Sequence, residues 1–266
     1  MIMQTHNIQA IFFDIDGTLV SFKTHTLSPT TKAAIRQLRD NGIKVIISTG
    51  RSMGDIINLE DLIFDGYITA NGAYCVNTKH EVIAQQPISK DNLERLAHNM
   101  EEKPFSCLFV TDKGNFINYI DDSMIFLNKL IKIPLPEKKP ISEIFTHTIY
   151  QLDAFIDTKH EAELFAHVLT DCVGRRWHPI FIDINAKECS KATGIDQFLS
   201  YYGLSNEHTM AFGDGDNDIA MLKHVAIGVA MGNAKDHVKT AADYVTTSVD
   251  DNGIVNALKH FKLIAE

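Results

Sequence analysis

The sequence predicts an α/β fold: a parallel-sheet core with helices on both faces, interrupted by an inserted α+β module. Three observations carry this expectation. A strand, a helix and a strand follow one another before residue 50; the same alternation returns from Lys191; and the intervening region mixes short strands with two or three helices. The chain is expected to divide into core 1–86, insertion 87–186 and core 187–266.

The first strand is the apolar run Ile11-Phe12-Phe13, stopped by a Gly-Thr turn. Ser28-Pro29 reads as an N-cap with proline at the first helical position, Ala34, Ile35 and Leu38 form the apolar stripe, and Gly42 is the stop. The β-branched run Lys44 to Ser48 follows, and a unit of this length favours a parallel pair with a right-handed crossover. A further helix is predicted through Ile56, Ile57 and Leu62, then a strand from Gly66 to Ala70 and a hairpin, Ala73 to Val76 and Val82 to Gln85, hanging from it.

The insertion opens with a capped amphipathic helix from Ser89 and continues through alternating segments around Phe105 to Thr111 and Asn115 to Tyr119. A connection over Ile133 to Pro140, a strand in Thr148 to Phe155, a helix from His160 to Leu169 and strands near Arg176 and over Phe181 to Ile184 complete it. Beyond it, a helix from Lys191 to Gly203 and a strand from His208 to Phe212 lead into Gly213-Asp214-Gly215-Asp216-Asn217-Asp218 and a helix. Val225 to Val229, Lys235 to Ala241, Tyr244-Val245 and Gly253 to Phe261 then read as strand, helix, strand and helix.

Composition bounds the function. With 45% hydrophobic and 22% charged residues the chain is an ordinary globular protein, and no apolar run approaches the roughly 18 residues of a membrane span. A net charge of −9 argues against nucleic acid or an anionic membrane as partner, since such binding rests on clustered Lys and Arg. A small phosphorylated metabolite remains compatible, because local cations and a metal can hold a phosphate within an acidic protein. The N-terminal MIMQTHNIQA lacks the basic head and apolar core of a secretory signal, which points to the cytoplasm. Cys75, Cys107, Cys172 and Cys189 are dispersed and read as reduced thiols, and the histidines show no metal-ligand spacing. A monomer or small homo-oligomer is expected.

Asp14 and Asp16 stand two apart at the end of the first strand. If strand geometry persisted they would share a side, and two anions that close need a cation or a shared proton. Alone, the stretch is equally compatible with a turn and a solvated strand end. Thr49-Gly50-Arg51 brings a hydroxyl, a glycine and a cation to the next strand end, where open parallel sheets bind ligands. Asp214, Asp216 and Asp218 crowd three carboxylates into five residues, a density that asks for a hard cation with oxygen ligands, Mg2+ best. A calcium loop would need glycine and glutamate at its sixth and twelfth positions, which from Asp214 are Ile219 and Val225.

The ordered motifs D-x-D-G-T, T-G-R, a lysine at a helix start and G-D-x-x-N-D resemble those of the haloacid dehalogenase-like hydrolases. The Asn71-Gly72-Ala73 entry and the long insertion make the chain similar to the Cof-type branch (subclass IIB, with a C2B cap), whose members are mostly sugar-phosphate phosphatases. The resemblance implies a Rossmann-like core, Asp14 as nucleophile forming an aspartyl-phosphate, and Asp16 as general acid and base. It implies Mg2+ held by the Asp14 carboxylate, the Asp16 backbone carbonyl and Asp214, with Asp218 orienting a bound water. Thr49, Lys191, Asn217 and the backbone amides of Ile15 and Gly50 would hold the phosphoryl oxygens, and the insertion would cap the site. Ala192-Thr193-Gly194 departs from the Lys-Gly step usual in the family, and Asp216 is left as a turn residue. Arg51 and Asn71 at the core-cap border, and Arg175 and Arg176 beside Trp177, are the candidate substrate contacts, Trp177 serving equally well for packing. A phosphomutase, or a phosphate-ligand sensor without turnover, are the alternative readings.

Overall fold

The computed structural model describes residues 7–57, 59, 62–132 and 134–265. The first strand, β1 (Ala10–Phe13), is buried along its whole length, as an apolar strand covered on both faces must be. Helix α1 (Pro29–Asp40) starts at Ser28, whose side chain accepts the Thr31 amide, and Pro29 occupies a first-turn position where no backbone donor is needed. Strands β2 (Lys44–Ser48) and β3 (Gly66–Thr69) continue the parallel sheet. The hairpin β4 (Tyr74–Asn77) and β5 (Val82–Gln85) does not hang free but extends the same sheet in antiparallel register.

The helix predicted through Ile56, Ile57 and Leu62 is replaced, among the described residues, by a 3-10 turn over Met53–Asp55; residues 58, 60 and 61 lie outside them. Ile56 and Leu62 still pack against the core, so their spacing reports burial.

The insertion contributes α2 (Lys90–Glu102), β6 (Cys107–Val110), β7 (Phe116–Ile117), α3 (Asp122–Ile131), β8 (Glu137–Lys138), β9 (Gln151–Ala154), α4 (Thr158–His167), β10 (Cys172–His178) and β11 (Phe181–Ala186). Its six strands form a separate sheet in the order β10-β11-β9-β6-β7-β8. Helix α3 was not predicted, although Asp121 caps it and Met124 and Leu127 bury one face. Strand β8 falls within the expected connection, whose first residue, Ile133, lies outside the described ones. Period-two alternation decides what each face of this sheet does. Cys107, Phe109, Leu152, Ala154, Ile182 and Ile184 pack with Leu93, Leu96 and Leu164 of α2 and α4. Leu108, Val110, Gln151, Asp153, Phe181 and Asp183 point the other way, into a cavity shared with the core.

The core resumes with α5 (Lys191–Tyr202), β12 (Thr209–Gly213), α6 (Ile219–His224), β13 (Ile227–Ala230), α7 (Asp236–Thr240), β14 (Tyr244–Val245) and α8 (Gly253–His260). The eight-stranded order is β14-β13-β12-β1-β2-β3-β4-β5, which sets β1 between β12 and β2. On one face Ile11, Phe13, Val45, Ile47 and Phe212 pack beneath α1 and α8, with Phe13 and Phe212 stacked at 4.9 Å. On the other, Phe12, Ile46 and Ile68 pack against Ile195 and Phe198 of α5 and Met221 and Leu222 of α6. Full burial of each such side chain contributes about 1.5–3 kcal/mol, so β1 is held from both faces. Among the described residues no helix is long and apolar enough to cross a membrane.

The chain crosses between the two sheets twice, after β5 and before α5, and the crossings lie side by side: the Cys189 thiol faces the Gln86 carbonyl at 3.6 Å. Close backbone contact also anchors the start of α5. Gly72, at φ +102°, lies where a Cβ would stand 2.1 Å from the Ser190 carbonyl oxygen.

Two outcomes follow. Gly72→Ala should destabilise the protein by about 2–4 kcal/mol, read from urea unfolding, because both backbone conformation and space oppose a methyl group. The four cysteines are buried, and burial pushes the Cys75 and Cys172 thiols up to about 12, Cys189 up to about 11, and Cys107 well above its ordinary value. Iodoacetamide at pH 8 should therefore label none of them in the native protein and all four after unfolding, counted by intact-mass spectrometry.

Candidate active site

Parallel strands bring their C-terminal ends to one edge, and the chemistry-bearing residues gather there. Asp14 directly follows β1, and its amide continues the pairing with Phe212 at 3.0 Å. The strand geometry stops before Asp16, yet both carboxylates line the same cavity. Lys191, the first residue of α5, is fully buried; its ammonium donates to Asp14 Oδ1 and to Asp218 Oδ1, each at 2.6 Å. Ser190 and Thr193 form a capping box that fixes this helix start despite the missing Lys-Gly step.

The GDGDND segment folds back on itself. Asp218 Oδ2 accepts the amides of Asp214 and Gly215, both at 2.9 Å. Asp214 accepts from the Thr18 hydroxyl and from Asn233 Nδ2, each at 3.0 Å. Gly17, at φ +82°, is the position where only glycine serves: a Cβ would lie 2.2 Å from Asp214 Oδ2. Asp16 faces Arg51, whose guanidinium grips it with two bonds of 2.8 and 2.6 Å. Thr49 Oγ1 accepts the Arg51 amide, and its backbone carbonyl accepts the Asn71 amide.

Charge is unevenly balanced at this edge. Burial raises the Asp14 carboxyl well above its ordinary value; Lys191 opposes this, while Asp218, Asp214 and Asp16 add to it. Burial and Asp218 likewise push Asp214 up to about 7. Burial works against the Lys191 ammonium, but Asp14 and Asp218 outweigh it and raise its pKa. Four carboxylates therefore share two cations, Lys191 and Arg51. Asp14, Asp214 and Asp218 present oxygens all within 4.8 Å of one another, an all-oxygen donor set that fits a hard divalent cation such as Mg2+.

The cavity measures about 250 Å³. Its floor includes Asp14, Asp16, Thr49, Gly50, Asp214 and Asn217, and its roof comes from the inserted sheet and α3. Lys191 sits behind the carboxylates rather than on the cavity wall, and Ile15 is buried beneath it. Arg51 reaches the wall already paired with Asp16. Asn71 is fully buried and joins the two parts of the molecule: it accepts from Asn217 at 2.9 Å and donates to Gln151 at 3.0 Å and Asp183 at 3.1 Å.

The substrate role expected of Arg175 and Arg176 is not supported, because neither lines the cavity. Arg175 donates to Asn185 and to the Cys189 carbonyl; Arg176 donates to Glu161 and to the carbonyls of Ile156, Pro179 and Phe181. On the edge strand β10 these guanidiniums serve nearby backbone, and the Trp177 side chain lies outside the described residues. Asp216, expected as a turn residue, starts a 3-10 turn, pairs with Lys235 at 3.2 Å and with His237, and reaches the cavity rim.

Among the cavity residues that sequence reasoning missed are the polar residues of the roof, Gln151, Asp153 and Asp183. The available signal was polar residues at alternate positions of otherwise apolar strands, QLDA and FIDI. Burial and the neighbouring Asp183 hold the Asp153 carboxyl well above its ordinary value, while a hydrogen bond from Gln151 pulls the other way.

The chain is similar over nearly its whole length to known phosphatases. BT4131, described as a sugar phosphatase of HAD subclass IIB, is 39% identical, with a TM-score of 0.89 over 96% of this chain and 100% of its own. BT1666 of Bacteroides thetaiotaomicron, from a study of phosphatases of the haloalkanoate (HAD) enzyme superfamily, is 36% identical, with a TM-score of 0.90 over 99% and 98%. The 5-amino-6-(5-phospho-D-ribitylamino)uracil phosphatase YcsE of Bacillus subtilis (strain 168) is 29% identical over 97% of both chains. Residues 11–258 match the family model for haloacid dehalogenase-like hydrolases, and the chain belongs to that family.

Proposed function

We propose that the protein is a Mg2+-dependent phosphatase that hydrolyses phosphate monoesters of small metabolites, sugar phosphates foremost, through an aspartyl-phosphate on Asp14. The observation that carries this reading is Asp14 itself: a buried carboxylate, braced by Lys191 at 2.6 Å, at the floor of the cavity with a second carboxylate, Asp16, on the same wall.

In this reading an Asp14 oxygen forms a bond to phosphorus as the bond to the leaving oxygen breaks, and Asp16 gives that oxygen its proton. Water then attacks the phosphorus, Asp16 takes the water's proton, and Asp14 is released with inorganic phosphate. To act, Asp16 exchanges the Arg51 guanidinium for the leaving-group oxygen. Thr49, the amides of Ile15 and Gly50, Lys191 and Asn217 hold the phosphoryl oxygens. The Asp14 carboxylate, the Asp16 carbonyl and Asp214 would hold Mg2+, whose charge offsets the repulsion between Asp14 and the phosphate. Asp218, both of whose oxygens are engaged by Lys191 and backbone amides, suits orientation better than direct ligation.

Residues 87–186 act as the cap in this reading, excluding water over the site. The leaving group would rest between an apolar wall, including Leu108, Val110, Leu127 and Phe181, and the acceptors Asp153 and Asp183. A polyol has both an apolar face and hydroxyl donors for such a surface, which supports a sugar moiety.

Asp14→Asn should lower phosphate release across a panel of sugar phosphates by at least about 1,000-fold with circular dichroism unchanged; near-full activity would remove Asp14 as nucleophile. Chelation with EDTA should abolish release and Mg2+ restore it, and Mg2+ should raise the thermal midpoint of the wild type but not of Asp214→Asn. Activity and midpoint both indifferent to Mg2+ would exclude the metal.

A further inference from the structure

Asn71 connects the floor of the cavity to its roof by a side chain whose orientation is set from the roof. It lies in the turn 70–72 with left-handed backbone (φ 54°, ψ 29°), which points the amide at the boundary between the two sheets. Its Nδ2 donates to Asp183 Oδ2 at 3.1 Å and to Gln151 Oε1 at 3.0 Å, and its Oδ1 accepts from Asn217 Nδ2 at 2.9 Å.

The direction of these bonds follows from chemistry. Asp183 Oδ2 accepts from Asn71, so the amide edge facing it is the NH2 edge. Gln151 is oriented by a backbone carbonyl, which only accepts: its Nε2 donates to the Gly50 carbonyl at 3.1 Å and to Asp153 Oδ1 at 2.8 Å, which turns its oxygen toward Asn71. With both neighbours so placed, the Asn71 oxygen faces Asn217, and Asn217 must present its own NH2 group. One hydrogen of that group goes to Asn71; the other belongs to the edge of the amide on the cavity side. The Asn217 oxygen is turned toward Gly215, where a Cβ would meet it at 2.6 Å. Reversed, the amide would offer lone pairs to an anion.

We propose that Asp183 is a positioning residue: acting through Asn71, it sets the Asn217 amide so that its N–H faces the phosphate, and the inserted module thereby completes the anion site only when seated over the core. This rests on the reading above that Asn217 holds a phosphoryl oxygen.

A double-mutant cycle with inorganic phosphate as competitive inhibitor tests it. Phosphate has no leaving group, so any direct contact of Asp183 with the alcohol part of a substrate does not enter. Asp183→Asn, which is isosteric but can present either edge to Asn71, should raise the phosphate inhibition constant by about tenfold. In an Asn217→Ala background the same substitution should have no further effect, and Asn71→Ala should repeat the pattern. General structural damage would instead persist in that background. An unchanged inhibition constant in Asp183→Asn, or effects of Asp183→Asn and Asn217→Ala that multiply, would overturn the relay and leave the phosphatase reading standing. Absence of phosphate inhibition in the active wild type would overturn Asn217 as a phosphate ligand and the relay with it. Absence of any phosphate release from the wild type would overturn the phosphatase reading.

Discussion

The buried ammonium of Lys191 is the constraint on which the rest of the site depends. It stands between Asp14 and Asp218 with no exposure to solvent, and removing water from three charged groups costs several kcal/mol each before their attraction returns it. Such an arrangement persists only if the geometry is held by other means. Three are visible: the capping box at Ser190 fixes the helix start, Gly72 admits the Ser190 carbonyl to van der Waals range, and two backbone amides hold Asp218 from behind. The lysine is thus delivered by a helix on one face of the sheet to carboxylates on two adjacent strand ends. Breaking any support leaves an unpaired buried charge, which is far more costly than the net worth of the pair.

The same edge of the sheet is also the seam between core and insertion. Apart from apolar contact, the seam is largely amide chemistry: Asn71 with Gln151 and Asp183, Gln151 with the Gly50 carbonyl, Asn185 with the Ala70 carbonyl, and Asn115 with Ser52 and Asp55. Hydrogen bonds between neutral groups contribute about 0.5–1.5 kcal/mol each, and those to the Asp183 and Asp55 carboxylates up to about 3. A seam made this way fixes the register of the two parts through few, directional contacts.

Much of the core and its site was legible in the sequence because each motif is contiguous and lies at a strand end. Asp14 and Asp16, Thr49, and the Asp214-to-Asp218 loop each sit within a few residues of the glycine that shapes their turn, and parallel topology does the assembling. The roof was not legible for the opposite reason. Gln151, Asp153 and Asp183 matter through the register of β9 against β11, a long-range pairing that local pattern does not encode. Arg175 and Arg176 misled because charge beside an aromatic residue does not reveal which groups on an edge strand it will serve. Ile56 and Leu62 misled because residues outside a helix can pack on a core at helix-like spacing.

The two side-by-side crossings between the sheets bear on how the roof can move. A body tethered at one point can turn about any axis, whereas two adjacent tethers leave it the single axis that runs through both. The contact between Cys189 and Gln86 sets these two tethers beside each other. A roof tethered in this way would open as a door swings on one hinge line, with one degree of freedom rather than three. Its closing would return every roof residue to the same place over Asp14, with little orientational entropy lost.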